Sequence, residues 1–229
     1  SSTAALRTTD LEDSVRHQIH GQDAEITLTD CTLVADPETS APADLDYALE
    51  ASYGLVAYTS DFEMTGGTIT GHNGGGIYFY GSPSESAPLI LTDVDIVDNG
   101  ALGGTIRYTD AVLTDVELSG TRNDDDRCVV GYSYYCNWGL TAFYSDVHAS
   151  GGTFAANEGY GLVLRSSTGW IDHVVLADNA NISAWVINGA LFLSDSEVTG
   201  VGRLGAYLSG STGVFERVAF HDRSWMTVT

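Results

Sequence analysis

The chain has 229 residues, of which 43% are hydrophobic, and it carries 31 acidic residues against 9 basic ones, for a formal net charge of −22. This length suits one domain with a substantial core, or one solenoid of several turns. So negative a chain would be repelled by a phosphate backbone, which argues against nucleic-acid binding. No apolar run reaches the roughly 18 residues of a transmembrane helix, so we expect no membrane span.

A pattern of three apolar or small residues at positions i, i+3 and i+5 occurs nine times. The instances are Leu6-Thr9-Leu11, Leu28-Cys31-Leu33, Met64-Gly67-Ile69, Leu91-Val94-Ile96, Leu113-Val116-Leu118, Ala149-Gly152-Phe154, Ile171-Val174-Leu176, Leu193-Ser196-Val198 and Phe215-Val218-Phe220. Consecutive first members are 22, 36, 27, 22, 36, 22, 22 and 22 residues apart. A recurring period of this length is typical of a solenoid, in which each repeat buries its inner face against its neighbours.

A second pattern, a pair of residues at i and i+2, precedes most of the triplets. The pairs are Leu55/Ala57, Ile77/Phe79, Gly104/Ile106, Leu140/Ala142, Leu162/Leu164, Ala184/Val186 and Ala206/Leu208. Glycine stands directly before six of these seven pairs, which indicates either a positive φ or a close backbone approach at that position. The spacing of two predicts a strand with one inward face, and the i+3 step predicts a bend between two short strands.

Segments such as GLVLRSSTGWIDHVVLADN (161–179) and GGIYFYG (75–81) combine these features, and they resemble the right-handed parallel β-helix family, the pectate-lyase-like solenoids. The resemblance implies an all-β fold, a right-handed single-stranded parallel β-helix of about nine coils of 22 residues, with two inserted loops at one corner. A β-sandwich is the alternative. We expect residues 1–229 to form one solenoid domain. Because no amphipathic segment caps either end, we also expect a fragment of a longer chain, whose ends stack end to end or against neighbouring parts of the parent chain.

The two inserted loops are residues 34–54 and 119–139. The gap from a triplet to the next pair is usually 8 residues, as from Ile69 to Ile77, but it is 22 residues at both of these places. Both insertions therefore leave the same corner, three coils apart. At the usual strand spacing their roots lie roughly 14 Å apart, so we expect them to form one lobe.

Aromatic residues are concentrated in this lobe and on the strand pairs beside it. The candidate ligand-binding residues are Tyr132, Tyr134, Tyr135 and Trp138 in the second insertion, and Tyr78, Tyr80 and Arg107 at outward strand positions. Aromatic faces stack on sugar rings, and arginine pairs with carboxylates or sulfates, so a polysaccharide is the expected partner. The alternative is that these aromatic side chains pack the lobe onto the strands.

The three cysteines have different expected roles. Cys128 and Cys136 lie eight residues apart in the second insertion, where a disulfide would close a small ring. This spacing indicates an oxidising setting, outside the cell or at its surface. Cys31 holds the middle position of its triplet, which predicts a buried free thiol.

Four carboxylates form a candidate calcium site. Asp93 and Asp95 are expected beside Asp115 and Glu117 of the next coil, where four like charges are unfavourable unless a cation or water separates them. The family that the chain resembles also binds Ca²⁺ with carboxylates on a strand face. The alternative is a solvated acidic surface.

No catalytic residues can be assigned from the sequence. A lyase of this family needs an arginine or lysine base near its calcium, yet the chain has no lysine and Arg107 is expected on a different face from the carboxylates. We therefore expect a non-catalytic extracellular or cell-surface β-helix that acts in adhesion or carbohydrate binding through the loop lobe. The alternatives are a polysaccharide lyase, hydrolase or epimerase, and a structural solenoid of a filament or envelope protein.

Overall fold

The computed structural model describes residues 2–7, 10–12, 18–36, 52–82, 88–122, 137–200, 202–221 and 226–229, and within these ranges the backbone forms strands and turns and no helix. The strands are β1 (Ser2–Arg7), β2 (Asp10–Glu12), β3 (Ile19–Gln22), β4 (Ala24–Val34), β5 (Tyr53–Tyr58), β6 (Asp61–Thr70), β7 (Gly75–Tyr80), β8 (Leu89–Thr92), β9 (Asp95–Val97), β10 (Leu102–Arg107), β11 (Ala111–Ser119) and β12 (Trp138–Phe143). They continue as β13 (Asp146–Ala155), β14 (Leu162–Arg165), β15 (Thr168–Asp172), β16 (Val175–Ala177), β17 (Ile182–Ile187), β18 (Ala190–Ser194), β19 (Glu197–Thr199), β20 (Leu204–Ser209), β21 (Thr212–Glu216), β22 (Ala219–Phe220) and β23 (Met226–Val228).

The strands form two parallel sheets that run along the whole solenoid. Sheet A has 14 strands, with the path β1-β4-β6-β8-β11-β13-β15-β18-β21 and with β2, β9, β16, β19 and β22 beside it. Sheet B has nine strands in the order β23-β20-β17-β14-β12-β10-β7-β5-β3. Each coil contributes to both sheets, so the predicted right-handed parallel β-helix is confirmed. Among the described residues, no helix has the length and apolar character needed to cross a membrane.

The observed strand register follows the sequence period. Leu28 lies opposite Leu6 on one side and Met64 on the other, although these residues are 22 and 36 positions away. Leu140 of sheet B likewise lies opposite Gly104 and Leu162. The first and last members of every predicted triplet form inward columns, and together with the strand pairs they supply the one large hydrophobic core. Cys31 is buried there as a free thiol, as predicted.

In the eight triplets whose bend lies within the described residues, the bend is a residue with positive φ. The corner column consists of Asp30, Gly66, Asp93, Asp115, Gly151, His173, Asp195 and Arg217. At Gly67 and Gly152 the residue after the bend is also glycine, because the backbone of the preceding coil approaches it closely. A Cβ on Gly152 (φ +87°), for example, would collide with the carbonyl oxygen of Val116.

A buried ladder of polar side chains occupies a second corner, where sheet A turns towards sheet B. His72, Asn99, Thr121, Asn157 and Asn179 follow one another there, each at most 1% exposed. The Asn157 amide donates to the side-chain oxygen of Asn179 at 2.8 Å and accepts from the Thr121 hydroxyl at 2.8 Å. These bonds satisfy polar groups inside the turn that water cannot reach.

Four of the six glycines before the strand pairs make room for this ladder, namely Gly54, Gly76, Gly139 and Gly161. None of the six has a positive φ. A Cβ on Gly139 would instead lie 2.6 Å from the Gly161 carbonyl oxygen and 2.8 Å from the Asn157 amide nitrogen. Of the two explanations offered by the sequence, close backbone approach is therefore the correct one.

Two strands of sheet B go beyond the predicted pairs. β3 pairs with β5 through Ile19 and Leu55, and β23 pairs with β20 through Met226 and Ala206. The sequence pattern does not predict β3, because Gln18 stands where a glycine usually precedes the strand pair, and Gly21 stands where the pair usually has its second apolar residue. Most of the two predicted loops, residues 37–51 and 123–136, lies outside the described residues.

Replacing Asn157 with alanine is expected to destabilise the protein by about 1–3 kcal/mol, because the partners of its side chain would be left buried and unpaired. Asn181→Ala is the matched control, since Asn181 is half-buried and lies outside the ladder. Urea denaturation measures both free energies of unfolding. Equal effects of the two substitutions would contradict a structural role for the ladder.

Candidate functional site

The outer face of sheet B brings together several of the predicted ligand-binding residues. Side chains alternate along each strand, so every second residue of sheet B points away from the core. One outward column runs across five coils through Tyr78, Thr105, Thr141, Val163 and Trp185. Two large half-buried aromatic side chains therefore flank three smaller residues, each at most 4% exposed.

Aromatic contacts continue on both sides of this column. Tyr58 lies 6.0 Å from Tyr78 and 6.1 Å from Tyr80, measured between ring centroids. At the other end, Trp185 lies 5.0 Å from Tyr160 and 6.4 Å from Tyr207. The rings are tilted and do not form a flat stack, so part of their faces is not covered by another ring.

The charge distribution separates this face from the rest of the molecule. None of the nine strands of sheet B contains Asp or Glu, although the chain has 31 of them. Nine of the 14 strands of sheet A contain acidic residues, among them Glu25, Asp61, Glu63, Asp95, Glu117, Asp172, Glu197 and Glu216. Sheet B instead presents Arg107 and Arg165 in one outward column, on either side of Phe143. The guanidinium of Arg107 lies over the Phe143 ring, 5.0 Å from its centroid. This face can therefore accept an anion that the molecule as a whole repels.

Buried polar atoms without partners gather at the same place. Among the described residues, six buried side-chain polar atoms lack a hydrogen-bond partner, and five belong to this face or its border. They are Thr105 Oγ1, Arg107 Nε, Asn137 Oδ1, Thr141 Oγ1 and Trp185 Nε1. Folded proteins leave few such atoms unpaired, so a cluster of them needs an explanation.

The structure separates the predicted ligand-binding residues into three groups. Tyr78, Tyr80 and Arg107 are half-buried on the outer face of sheet B, as expected. Trp138 is 3% exposed and contacts Tyr160 and Trp185 edge to face, so the packing alternative describes this side chain in the present conformation. The predicted residues Tyr132, Tyr134 and Tyr135, and the predicted disulfide between Cys128 and Cys136, lie outside the described residues and stay predictions.

The four carboxylates of the predicted calcium site lie on sheet A and its corner. Asp95 and Glu117 are directly opposite each other on adjacent coils, while Asp93 and Asp115 occupy the bend column. Partial burial, with Glu117 and Asp93 close by, raises the pKa of Asp95. Within the described residues, the one set of three metal-ligating groups whose ligand atoms all lie within 4.8 Å is Asp172, His173 and Asp195, so the calcium site stays a prediction.

The structure also shows a surface on sheet A that the sequence analysis missed. His148 stacks on Trp170 with ring centroids 4.4 Å apart, and Trp170 stacks on Phe192 at 5.8 Å, each pair parallel to within 6°. A shallow groove of about 270 Å³ runs beside them, past Asp172 and Ser194. The residue before the first member of each triplet points outwards, so this column could have been found from the repeat. The rings cover one another's faces, so the stack mainly stabilises the packing of neighbouring coils.

Charged side chains at the adjoining corner satisfy one another. Asp172 accepts hydrogen bonds from the Ser194 hydroxyl at 2.6 Å and from His173 at 2.7 Å, and these bonds lower its pKa. Asp195 accepts two hydrogen bonds from Arg217, at 2.5 and 2.6 Å, which lower its pKa as well. This network lies on sheet A and its corner, whereas Arg107 lies on sheet B.

Comparisons with solved structures support the fold. The chain is similar to a single mutant of the periplasmic alginate epimerase AlgG, with 11% sequence identity and a TM-score of 0.57, covering 96% of this chain and 51% of that one. It is also similar to a double mutant of AlgG, with 11% identity and a TM-score of 0.52, covering 88% of this chain and 50% of that one. A further AlgG mutant gives 12% identity and a TM-score of 0.54. The chain thus spans about half the length of the epimerase chains that it matches.

No protein-family model matches the chain, and a search of curated proteins gives no match either. The strand topology and the similar solved structures together define the class as the right-handed parallel β-helix. The resemblance found in the sequence is thus confirmed for the fold.

The buried phenol of Tyr53 predicts a pH dependence of stability. Burial, together with the nearby Tyr78 and Tyr58, raises the pKa of Tyr53 above its ordinary value of 10.0. The folded protein therefore holds this proton more tightly than the unfolded chain, and its free energy of unfolding falls as the pH rises above 10.0. Replacing Tyr53 with phenylalanine should reduce that slope by up to about 1.4 kcal/mol per pH unit. Urea denaturation between about pH 9 and 11 measures the slope, and an unchanged slope in the variant would contradict the assignment.

Proposed function

We propose that this protein acts on an acidic polysaccharide, which it binds across the outer face of sheet B and modifies there. The observation that carries the proposal is the absence of acidic residues from all nine strands of this sheet, combined with Arg107 and Arg165 among aromatic side chains. Aromatic rings bind the apolar faces of sugar rings, and guanidinium groups pair with their carboxylates. The similarity to alginate epimerases supports the same ligand class through the fold.

This proposal takes the enzymatic alternative of the sequence analysis in preference to adhesion. Epimerisation and β-elimination of a uronate both begin with removal of the proton at C5, which leaves negative charge on the neighbouring carboxylate. A positioned arginine stabilises that charge in a site from which water is excluded. Arg107 is suited to this role because the residue is half-buried and its guanidinium lies over an aromatic ring.

Tyrosine side chains are the candidates for proton transfer. Tyr80 lies opposite Arg107 on the adjacent strand, at one strand spacing, and as its phenolate it would accept the C5 proton. Burial and the neighbouring Tyr78 raise the pKa of Tyr58, so its phenol keeps its proton and can donate it to the other face of C5 in epimerisation, or to the leaving glycosidic oxygen in β-elimination. A uronate whose carboxylate meets Arg107 would thus have phenol groups beside its ring.

We also propose that the protein works outside the cytoplasm, where polysaccharides of this class occur. The AlgG structures come from a periplasmic protein, which agrees with this location.

Arg107→Gln is expected to weaken binding to polymannuronate about tenfold or more, because it removes the charge that pairs with the carboxylate. Arg165→Gln should have a smaller effect of the same sign, since Arg165 is exposed. Arg217→Gln is the matched control, because Arg217 is bound to Asp195 on sheet A. Affinity electrophoresis in polymannuronate gels measures the binding, and a neutral glucan gel tests its charge dependence.

The same protein and polymer samples also show whether the polymer is chemically modified. Proton NMR of the polymer reports the configuration at C5, and ultraviolet absorbance reports unsaturated ends. If the wild type binds the polymer, Arg107→Gln abolishes that binding, and the wild type leaves the polymer chemically unchanged, the protein is a non-catalytic binding protein. Equal binding by the Arg107 and Arg217 variants would contradict the proposed face.

We also propose that calcium binds on sheet A at Asp93, Asp95, Asp115 and Glu117. Each assay is run with calcium and with a chelator, and again with Asp95→Asn. If calcium binds there, the chelator should lower the free energy of unfolding of the wild type and have little effect on that of the variant. Equal responses of the two proteins to the chelator would contradict a site at Asp95.

A further inference from the structure

We propose that the unpartnered polar atoms on sheet B form a recognition site for the carboxylate and hydroxyl oxygens of a short polysaccharide segment, and that Thr105 and Thr141 determine its specificity. The inference rests on the proposed function and deepens it, because it assigns the residues that select the ligand.

Four of these unpartnered groups lie on one face of sheet B, and the strand register gives their relative positions. Thr105 lies opposite Thr141 on the next coil, and Arg107 follows two positions after Thr105 on the same face of the same strand. Trp185 stands two coils beyond Thr141, at about twice the strand spacing of 4.8 Å. The strands of Thr105 and Trp185 are therefore three spacings, roughly 14 Å, apart, so the set extends along several sugar residues of one chain.

All four groups can donate a hydrogen bond. The hydroxyls of Thr105 and Thr141, the Nε–H of Arg107 and the indole N–H of Trp185 have no acceptor in the protein. A carboxylate or ring hydroxyl offers the missing acceptor oxygens. A site built with unmatched donors rejects a ligand that lacks those oxygens more strongly than a hydrophobic pocket could.

Burial of the two hydroxyls makes the unmatched state costly for the free protein. Thr105 is 4% exposed and Thr141 is 1% exposed, so neither hydroxyl can turn to solvent. Valine has the same shape and the same preference for strands, and it would remove the unpaired oxygen. The presence of threonine at both positions thus lowers the stability of the free protein, which is understandable if the hydroxyls serve a ligand.

Binding requires the covering side chains to move, since the donor atoms are not in contact with solvent. Trp185 is itself one of the donors, and Trp138 contacts it edge to face. We therefore expect the fluorescence of the tryptophans to change when a sugar enters the recognition site.

The test compares Thr105→Val, Thr141→Val and the double variant with wild type and with Thr114→Val, a half-buried threonine on sheet A. Urea denaturation gives stability, and titration with mannuronate oligosaccharides, followed by tryptophan fluorescence, gives affinity. We expect each sheet B variant to be more stable than wild type and to bind about five- to tenfold more weakly. Thr114→Val should leave the affinity unchanged.

The outcomes separate the two proposals. If wild type binds the oligosaccharide and the sheet B variants bind it equally well, the recognition site is wrong while the proposed function stands. If wild type binds neither acidic nor neutral oligosaccharides, the proposed function fails first. Variants that are less stable than wild type would show that the hydroxyls have partners in the folded protein, which also overturns the recognition site.

Discussion

The structure depends on one constraint, the in-register hydrogen bonding of each coil to the next. Parallel pairing places residue i of one coil beside its equivalent in the following coil, as Leu28 lies beside Leu6 and Met64. Every structural position therefore becomes a column along the solenoid, and a side chain is acceptable only if it can stack on copies of the same position. Apolar residues meet this condition in the core, and Asn157 and Asn179 meet it at the turn by hydrogen bonding to each other. Gly139 meets it by leaving room for the neighbouring carbonyl.

The same constraint creates the candidate site. Because outward positions of sheet B also form columns, residues far apart in sequence become neighbours on one face, as Tyr78 and Thr105 do. One face of the solenoid can therefore differ in composition and charge from the others, as sheet B does in having no acidic residue in its strands. On a chain of net charge −22, the long-range field is negative, so Arg107 acts only at short range and on a ligand already held by the aromatic rings. Binding is accordingly expected to combine stacking with local charge pairing.

Much of the fold and part of the candidate site could be predicted from the sequence, because the spacing of the repeats determines which residues of adjacent coils lie opposite each other. The columns through Leu28, Leu140 and their equivalents follow from counting residues, and so does the placement of Tyr78, Tyr80 and Arg107 on one face. The limits have physical causes. Gln18 directly precedes β3, where the period expects glycine, and the pairing of β3 with β5 is recognisable only in three dimensions. The burial of Trp138 and the missing partners of Thr105 and Thr141 depend on how neighbouring side chains pack, which spacing does not describe. The stack of His148, Trp170 and Phe192 was within reach of the same counting, but it lies one position before the residues that the core pattern selects.

The most direct test of the central claim uses the tryptophans as reporters of position. The chain has four tryptophans, of which Trp138 and Trp185 lie on sheet B and Trp170 on sheet A. Fluorine NMR of protein labelled with 5-fluorotryptophan, assigned with single Trp→Phe variants, follows each ring during titration with mannuronate oligosaccharides. The account predicts that the signals of Trp138 and Trp185 shift with a common saturation curve while that of Trp170 stays in place. A shift of Trp170 alone would place the sugar in the sheet A groove and contradict the assignment of sheet B as the binding face.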